Sequence, residues 1–197
     1  MLNIAVLVSG GGTNLQALID AEKKGEIKNG KITLVISSKA DVYALTRAEN
    51  AGIKSEVISR KSFANAKDFD DALVASLKAN NIDLVVLAGF MCILGEGFVH
   101  EFANRIINVH PSLIPSFCGD GFYGLKVHEK ALEYGVKVTG ATVHFVNEIT
   151  DGGKIILQKA VEIEEGDTPE TLQKRVMEQA EWKILPQAVS MFCEGKI

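Results

Sequence analysis

Asn108 and His110 are the two residues in this sequence whose types and spacing are best suited to chemistry. They interrupt an apolar run, IINVH at positions 106–110, immediately before Pro111. Alternate residues of a β-strand point to the same side, so both side chains are predicted to project together from a strand end. An amide N–H can donate to a developing oxyanion, and an imidazole that titrates near neutral pH can move a proton. Leaving either group unpaired would cost roughly 1–3 kcal/mol. Loop backbone could satisfy them, but for an Asn-x-His pair we favour a catalytic function.

A glycine-rich segment, SGGGTN at positions 9–14, follows the apolar run IAVLV. Between a strand and a helix, free backbone N–H groups and the positive helix end can hold a phosphate. The segment matches neither GxGxxG nor GK[ST], so a single phosphate monoester fits better than a dinucleotide or a P-loop nucleotide. A tight turn that merely uses the backbone freedom of glycine is the alternative. Both interpretations stay open from the residues alone.

Asp151 is a third candidate, in the segment NEITDGG at positions 147–153. Asp-Gly-Gly is an ordinary turn signature, so Asp151 would not stand out by itself. It matters only if the fold brings its carboxylate to His110, where it would orient the ring and favour the imidazolium.

The remaining histidines and cysteines carry weaker signals. His144 lies in an alternating strand and could face the core or solvent, whereas His100 and His128 lie in helical stretches and are predicted to be surface residues. Cys92 follows an apolar run and is predicted to form a small pocket wall. No set of His, Cys and carboxylate residues has metal-ligand spacing, so no metal site is expected.

Apolar runs and helical periodicity alternate along the chain. This pattern predicts an α/β fold with a doubly wound, mostly parallel sheet, and with an antiparallel strand pair toward the C-terminal end. The predicted strands are 4–8, 32–37, about 56–58, 83–88, 106–110, 138–146 and 154–163. The predicted helices follow Asn14 and span 43–50, 69–79, 127–134 and a last segment from about 168 to Pro186, or beyond it with a kink.

Composition narrows the function classes. The chain has 197 residues, of which 47% are hydrophobic and 23% charged, with a net charge of -4. These values predict one globular domain, residues 1–197, without a broad nucleic-acid-binding surface. The three cysteines have no CxxC spacing. Neither a membrane span nor a signal peptide is recognisable, so we expect a cytoplasmic protein with small-molecule substrates and no membrane partner. The oligomeric state stays open.

Four segments together resemble a known family. They are VSGGGTNLQ at 8–16, LAGFM at 87–91, NVHPSLIP at 108–115, and TVHFV at 142–146 with the later DGG at 151–153. In order and over nearly the whole chain, they resemble the folate-dependent formyltransferases. The first segment narrows the resemblance to the phosphoribosylglycinamide formyltransferases of purine synthesis. The resemblance implies a Rossmann-like formyltransferase fold.

The resemblance also implies a reaction: direct transfer of a formyl group from 10-formyltetrahydrofolate, as co-substrate, to the amine of 5-phosphoribosyl-glycinamide, without a metal. Asn108, His110 and Asp151 match the catalytic residues of the family. The residues that match the phosphoribosyl-glycinamide site are Gly12, Thr13, Asn14, Glu178 and Glu181. The residues that match the formyl-folate site are Met91, Cys92, Ile93, Leu94, Asn108, Asn147, Glu148, Ile149, Thr150 and Asp151.

The chain departs from the family pattern at Cys92 and Ala66, where many relatives carry basic residues, and its last helix has one extra residue near Ala180. Three alternative functions are less consistent with this sequence. A methionyl-tRNA formyltransferase would need a further C-terminal domain, and a formyltetrahydrofolate hydrolase usually has an N-terminal regulatory domain. A non-catalytic phosphate-binding module would leave Asn108 and His110 without a function.

Overall fold

The computed structural model describes all 197 residues, which form seven strands and seven α-helices. The strands are β1 (Leu2–Val8), β2 (Gly30–Ser37), β3 (Lys54–Val57), β4 (Leu84–Leu87), β5 (Ile106–His110), β6 (Val138–Phe145) and β7 (Ile155–Glu162). The helices are α1 (Thr13–Lys23), α2 (Tyr43–Asn50), α3 (Ala66–Ala79), α4 (Glu96–Glu101), α5 (Leu125–Tyr134), α6 (Pro169–Val176) and α7 (Trp182–Cys193). A short 3₁₀ turn spans Arg60–Ser62, and a π turn over Met177–Glu181 joins α6 to α7.

One sheet contains all seven strands, in the order β3-β2-β1-β4-β5-β6-β7. The five strands from β3 to β5 pair in parallel, and β5, β6 and β7 pair antiparallel. The predicted fold class is therefore confirmed, including the antiparallel pair β6–β7. The antiparallel pairing of β5 with β6 places Asn108 opposite His144.

The central strand β1 is buried on both faces, as its uninterrupted apolar run predicted. Ile4, Val6 and Val8 belong to the larger core, which α1, α6 and α7 cover. Ala5 and Leu7 belong to the smaller core, where Phe69 and Leu73 of α3 are among the covering side chains. Each face thus has its own helical layer, which is the defining feature of a doubly wound sheet.

The chain reverses its winding direction between β1 and β4, because β2 and β3 lie on one side of β1 and β4 and β5 on the other. In open α/β sheets, ligands bind at the carboxyl ends of the strands beside such a switch point. The segments that follow β1, β4 and β5 all lie at this edge. The same edge contains the glycine-rich segment, the LAGFM segment and the Asn108–His110 pair at the end of β5.

One prediction about the helices needs correction. His128, predicted to be a surface residue, is fully buried, because it shares the inward face of α5 with Val127 and Ala131. Of the two alternatives for the last helix, the structure has the longer one: the helix continues past Pro186 to Cys193, with buried Leu185 and Val189 packing against the core. The exposed position predicted for His100 is confirmed. None of the helices combines the length and apolar character needed to span a membrane.

Candidate functional site

A cavity of about 760 Å³ opens at the carboxyl edge of the sheet. Its volume lies within the range typical of small-molecule sites. Five segments and one helical face line it. They are 10–14 after β1, 87–94 from β4 onward, 108–111 at the end of β5, 119–124, 144–151 apart from Phe145, and the side chains of Gln173, Met177 and Glu181.

The glycine-rich segment forms one end of this lining, and Gly12 is its tightest point. Gly12 has a φ of +71°, and a Cβ there would lie 2.7 Å from the Cβ of Ala44 on α2. Only glycine therefore fits without displacing the helix. The backbone N–H groups of Gly10, Gly11 and Gly12 have no acceptor within the protein. Together with the first turn of α1, they form a set of free donors on the cavity wall, which we call the cradle.

His110 and Asp151, 41 positions apart along the chain, meet in this cavity. Nδ1 of His110 lies 3.5 Å from Oδ2 of Asp151, and both side chains are almost completely buried. The other ring nitrogen, Nε2, donates to the carbonyl oxygen of Phe117 at 2.9 Å. Because both ring nitrogens face acceptors, only the imidazolium form satisfies both of them.

Asp151 is held in place by its turn. Its φ of +55° is a left-handed conformation, which Asp tolerates better than most residues. The backbone N–H of Gly119 donates to Oδ2 of Asp151 at 2.9 Å, which ties the 119–124 segment to the turn. A Cβ at Gly153 would collide with the carbonyl of Phe145, so the Asp-Gly-Gly sequence is needed for the close approach of this turn to β6.

Asn108 is oriented by His144 on the adjacent strand. Nδ1 of His144 donates to the carbonyl oxygen of Phe145 at 2.8 Å, so in the neutral ring Nε2 is an acceptor. The side-chain amide of Asn108 donates to this Nε2 at 3.1 Å. This bond uses one of the two amide hydrogens, and no other protein group accepts from the amide nitrogen. The second hydrogen is available to a ligand in the cavity.

The protonation states in the site reflect burial and mutual attraction. Burial lowers the pKa of His110, and the neighbouring Asp151 and the Phe117 carbonyl partly counteract this. Burial by itself would raise the pKa of Asp151. The neighbouring His144 and His110 rings and the hydrogen bond from the Gly119 N–H overcome burial, and the net pKa of Asp151 is lowered. The site thus pairs a carboxylate whose ionised form is favoured with an imidazole whose uncharged form is favoured by burial.

Glu181 lies beside the cradle, whereas Glu178 does not reach the cavity. Nδ2 of Asn14 donates to Oε2 of Glu181 at 2.7 Å, and burial raises the pKa of this carboxyl to about 7. Glu178 points outward and pairs with Lys174 at 3.9 Å. The π turn over Met177–Glu181 accommodates the extra residue that the sequence indicated near Ala180. Such one-residue expansions are frequent at functional sites.

The predicted folate-binding residues form the opposite part of the lining. Met91, Cys92, Ile93 and Leu94 extend from the end of β4, and 147–151 come from the β6–β7 connection. Met91, Ile93 and Ile149 are 51%, 79% and 69% exposed, which is unusual for such large apolar side chains. Glu148 contacts His100 on α4 and so anchors the connection. No group of three or more His, Cys, Asp or Glu residues is arranged to hold a metal ion.

The structure adds groups that the sequence did not single out. His144 orients Asn108 and lies 3.6 Å from Asp151, with Nε2 facing Oδ1. Its place in an alternating strand was the available signal, but only the β5–β6 register shows which face it occupies. The Phe117 carbonyl and the cavity-lining residues Gln173 and Met177 gave no signal in the sequence.

This chain is similar to known proteins over almost its whole length. A family model described as Formyl transferase matches residues 2–189. Phosphoribosylglycinamide formyltransferase of Haemophilus influenzae is 46% identical over 197 residues, with 100% of this chain and 90% of that protein covered. The human trifunctional purine biosynthetic protein adenosine-3 is 48% identical over 194 residues, or 98% of this chain, and the chain spans only 18% of that protein.

A solved structure is also similar over almost the whole chain. The crystal structure of glycinamide ribonucleotide transformylase 1 from Symbiobacterium toebii has a TM-score of 0.93 at 45% identity, covering 99% of this chain and 89% of that one. The architecture is therefore shared along almost the whole chain. The chain belongs to the formyl transferase family.

Proposed function

We propose that this protein transfers the formyl group of 10-formyltetrahydrofolate to the amine of 5-phosphoribosyl-glycinamide in purine biosynthesis. The observation that carries the proposal is the convergence of Asn108, His110 and Asp151 on the cavity that also holds the cradle and the exposed apolar residues. The relatives named for this reaction support the choice of substrates. The same biosynthetic role, with three free cysteines, supports a cytoplasmic location.

The cradle binds the phosphate of phosphoribosyl-glycinamide. Gly12, Thr13 and Asn14 supply backbone donors at the N-terminus of α1, where the helix dipole favours an anion. Glu181, beside the cradle, accepts hydrogen bonds from ribose hydroxyls or from the glycinamide. The outward position of Glu178 assigns it no contact with this substrate.

The apolar residues on the other side of the cavity bind the folate. A flat heteroaromatic ring covers Met91 and Ile93 on one side and Ile149 on the other, and removes their exposed surface from water. Polar backbone groups of the two segments provide the hydrogen bonds that fix its orientation. Cys92 carries no positive charge, so binding here depends on shape and apolar contact.

The reaction begins when the substrate amine attacks the formyl carbon, which forms the new C–N bond and places negative charge on the formyl oxygen. The free amide hydrogen of Asn108 donates to this oxyanion. His110 takes a proton from the attacking amine, and Asp151 stabilises the imidazolium that results. Breaking the bond between the formyl carbon and the folate nitrogen completes the transfer, and His110 returns the proton to that nitrogen, directly or through water.

The protonation states suit this cycle. Burial favours the uncharged form of the His110 ring, which can accept a proton. Once the ring is protonated, the ionised Asp151 stabilises its positive charge. Proton transfer between Nε2 and the substrates requires that Nε2 give up its present bond to the Phe117 carbonyl. Holding both substrates in one cavity supplies much of the rate through orientation.

The test mixes the purified protein with 10-formyltetrahydrofolate and phosphoribosyl-glycinamide and follows loss of the formylated folate. Turnover that requires both compounds supports the proposal. Turnover with the folate alone would replace it with hydrolysis, and no turnover in either case would favour a binding module. Free glycinamide without the ribose phosphate serves as the acceptor control, because it has the reacting amine but no group for the cradle.

A further inference from the structure

The wall of the cavity that contains the cradle has no positively charged side chain that could pair with a phosphate. None of the residues that line the cavity is Lys or Arg, although the proposed substrate has a phosphate. Four lining residues are acidic: Asp120, Glu148, Asp151 and Glu181. Backbone dipoles alone would have to hold a dianion against this background, so the cations just behind the lining become important.

Arg47 on α2 is directly bonded to the back of the cradle. Its Nε donates to the carbonyl oxygen of Gly11 at 2.8 Å, and its Nη1 donates to Oε1 of Gln16 at 2.9 Å. Its guanidinium lies 4.8 Å from the ring centroid of Tyr43. No carboxylate pairs with Arg47, in contrast to Arg175, which is bound to Asp167 and Glu164. The charge of Arg47 therefore remains unneutralised behind the cradle.

These bonds set the orientation of the cradle peptides. The carbonyl oxygen of Gly10 accepts from the N–H of Ala44, that of Gly11 from Arg47, and that of Gly12 from the N–H of Gln16. In a trans peptide, the C=O and the following N–H point in opposite directions. Holding three successive carbonyls away from the cavity thus turns the N–H groups of residues 11–13 toward a ligand.

We infer that Arg47 is a positioning residue for substrate phosphate: it holds the Gly11 carbonyl back and supplies the positive charge that the cavity lining lacks. This inference rests on the proposed function, because it assigns the cradle to the phosphate of phosphoribosyl-glycinamide. Arg47 does not contact the reacting atoms, so its loss affects the binding of the phosphorylated substrate and not the chemistry.

The test compares Arg47→Gln with the matched control Arg105→Gln. Arg105 also donates to a backbone carbonyl, that of Glu101 at 2.7 Å, and also lies over an aromatic ring, Phe102 at 5.0 Å. It precedes β5 and so lies at the opposite edge of the sheet from the cavity. In Arg47→Gln the KM for phosphoribosyl-glycinamide should rise about tenfold or more, while kcat and the KM for the folate change little. Arg105→Gln should leave all three values near those of the wild type.

Direct binding of ribose 5-phosphate, measured by calorimetry, separates this inference from the proposed function because it needs no turnover. Its Kd should rise about tenfold or more in Arg47→Gln. Arg47→Lys keeps the positive charge but cannot bond to Gly11 and Gln16 through two guanidinium nitrogens, so its Kd should be intermediate. Wild-type affinity in Arg47→Gln would overturn the inference even if the enzyme is active. If Arg47→Gln does not fold, Arg47→Lys decides: weaker binding supports the inference, and unchanged binding overturns it. Arg47-dependent binding without formyl transfer would refute the proposed function alone.

Discussion

The cradle and the His110–Asp151 pair lie in one cavity but are built on opposite principles. The cradle belongs to the parallel part of the sheet and presents backbone N–H groups, whose partial charges do not change with pH. His110 and Asp151 belong to the antiparallel part and present titratable side chains in close contact. The difference shows how the fold separates two tasks. In the proposed function, the fixed dipoles of the cradle bind the permanent charge of a phosphate, and the coupled ionisable groups stabilise a charge that exists only during the reaction.

Each region depends on a residue with positive φ, and the two residue types match these tasks. Gly12, at +71°, has no side chain because α2 leaves no room for one. Asp151, at +55°, also has a left-handed conformation, and this conformation places its carboxylate beside His110.

The largest expected effect comes from neutralising Asp151. Asp151→Asn should fold normally, since Asn tolerates positive φ and its side-chain oxygen can still accept from Gly119. Without the carboxylate charge the imidazolium is not stabilised, and kcat should fall by about 10²- to 10⁴-fold. Steady-state kinetics with both substrates measure this. Asp120→Asn is the control, because Asp120 also lines the cavity but does not contact His110. An unchanged kcat in Asp151→Asn would remove Asp151 from the mechanism.

The next effect should come from the cradle and should alter binding more than chemistry. In Gly12→Ala, strain at positive φ and the 2.7 Å contact with Ala44 displace the cradle donors. The KM for phosphoribosyl-glycinamide should rise about 10- to 100-fold, the equivalent of one lost hydrogen bond to a charged group. Gly11→Ala is the control, because a Cβ there meets nothing within 4 Å and its φ is not positive. Equal effects of the two variants would contradict the role of Gly12.

A buried acid beside the cradle provides a third test, on stability. Folding raises the pKa of Glu181 from 4.5 to about 7, so the folded state favours the neutral form. The contribution of neutral Glu181 to the free energy of unfolding is complete below pH 4.5, and it is lost as the pH rises toward 7 and the carboxyl ionises. Glu181→Gln stays neutral and should be more stable than the wild type above pH 7, by up to roughly 3 kcal/mol, with no difference below pH 4.5. Chemical denaturation across this pH range measures the difference, and exposed Glu178→Gln should show none.

A buried histidine near His110 provides a fourth test, also on stability. Its pH dependence has the opposite sign to that of Glu181, and its effect on stability at neutral pH is smaller. Burial, with a contribution from His110, lowers the pKa of His128 from 6.5 to about 4, and neither ring nitrogen has a partner. The unfolded state therefore binds the proton first, and stability is lost as pH falls below 6.5. His128→Leu should be more stable than the wild type by roughly 1–2 kcal/mol at pH 5. Exposed His100→Leu is the control, and a wild-type pH profile for His128→Leu would refute the assignment.

The sequence predicted those parts of the molecule that depend on local pattern. The apolar run of β1, the glycines after it and the alternation of Asn108 with His110 are local signals, and they located the edge of the sheet where the cavity opens and two of the side chains that line it. Asp151 was recognised only through resemblance, because an Asp-Gly-Gly turn by itself is ordinary. Its proximity to His110 depends on the antiparallel end of the sheet.

The remaining features depend on long-range packing. The contact of His144 with Asn108 requires the β5–β6 register, and a slip of one residue would turn His144 away from Asn108. His128 is buried because of what covers α5, which helical periodicity does not show. The π turn at Met177–Glu181 decides that Glu181, and not Glu178, faces the cavity. No local sequence pattern predicts which of these two glutamates faces the cavity.

The most direct measurement of the central claim, that Asp151 acts through His110, is an NMR titration of the His110 imidazole. The ¹⁵N-labelled rings are followed with pH in the wild type and in Asp151→Asn, and the His110 signal is assigned by its absence from His110→Asn. Because the carboxylate raises the pKa that burial lowers, the His110 pKa should be lower in Asp151→Asn than in the wild type. Identical titration curves for His110 in the two proteins would contradict the claim.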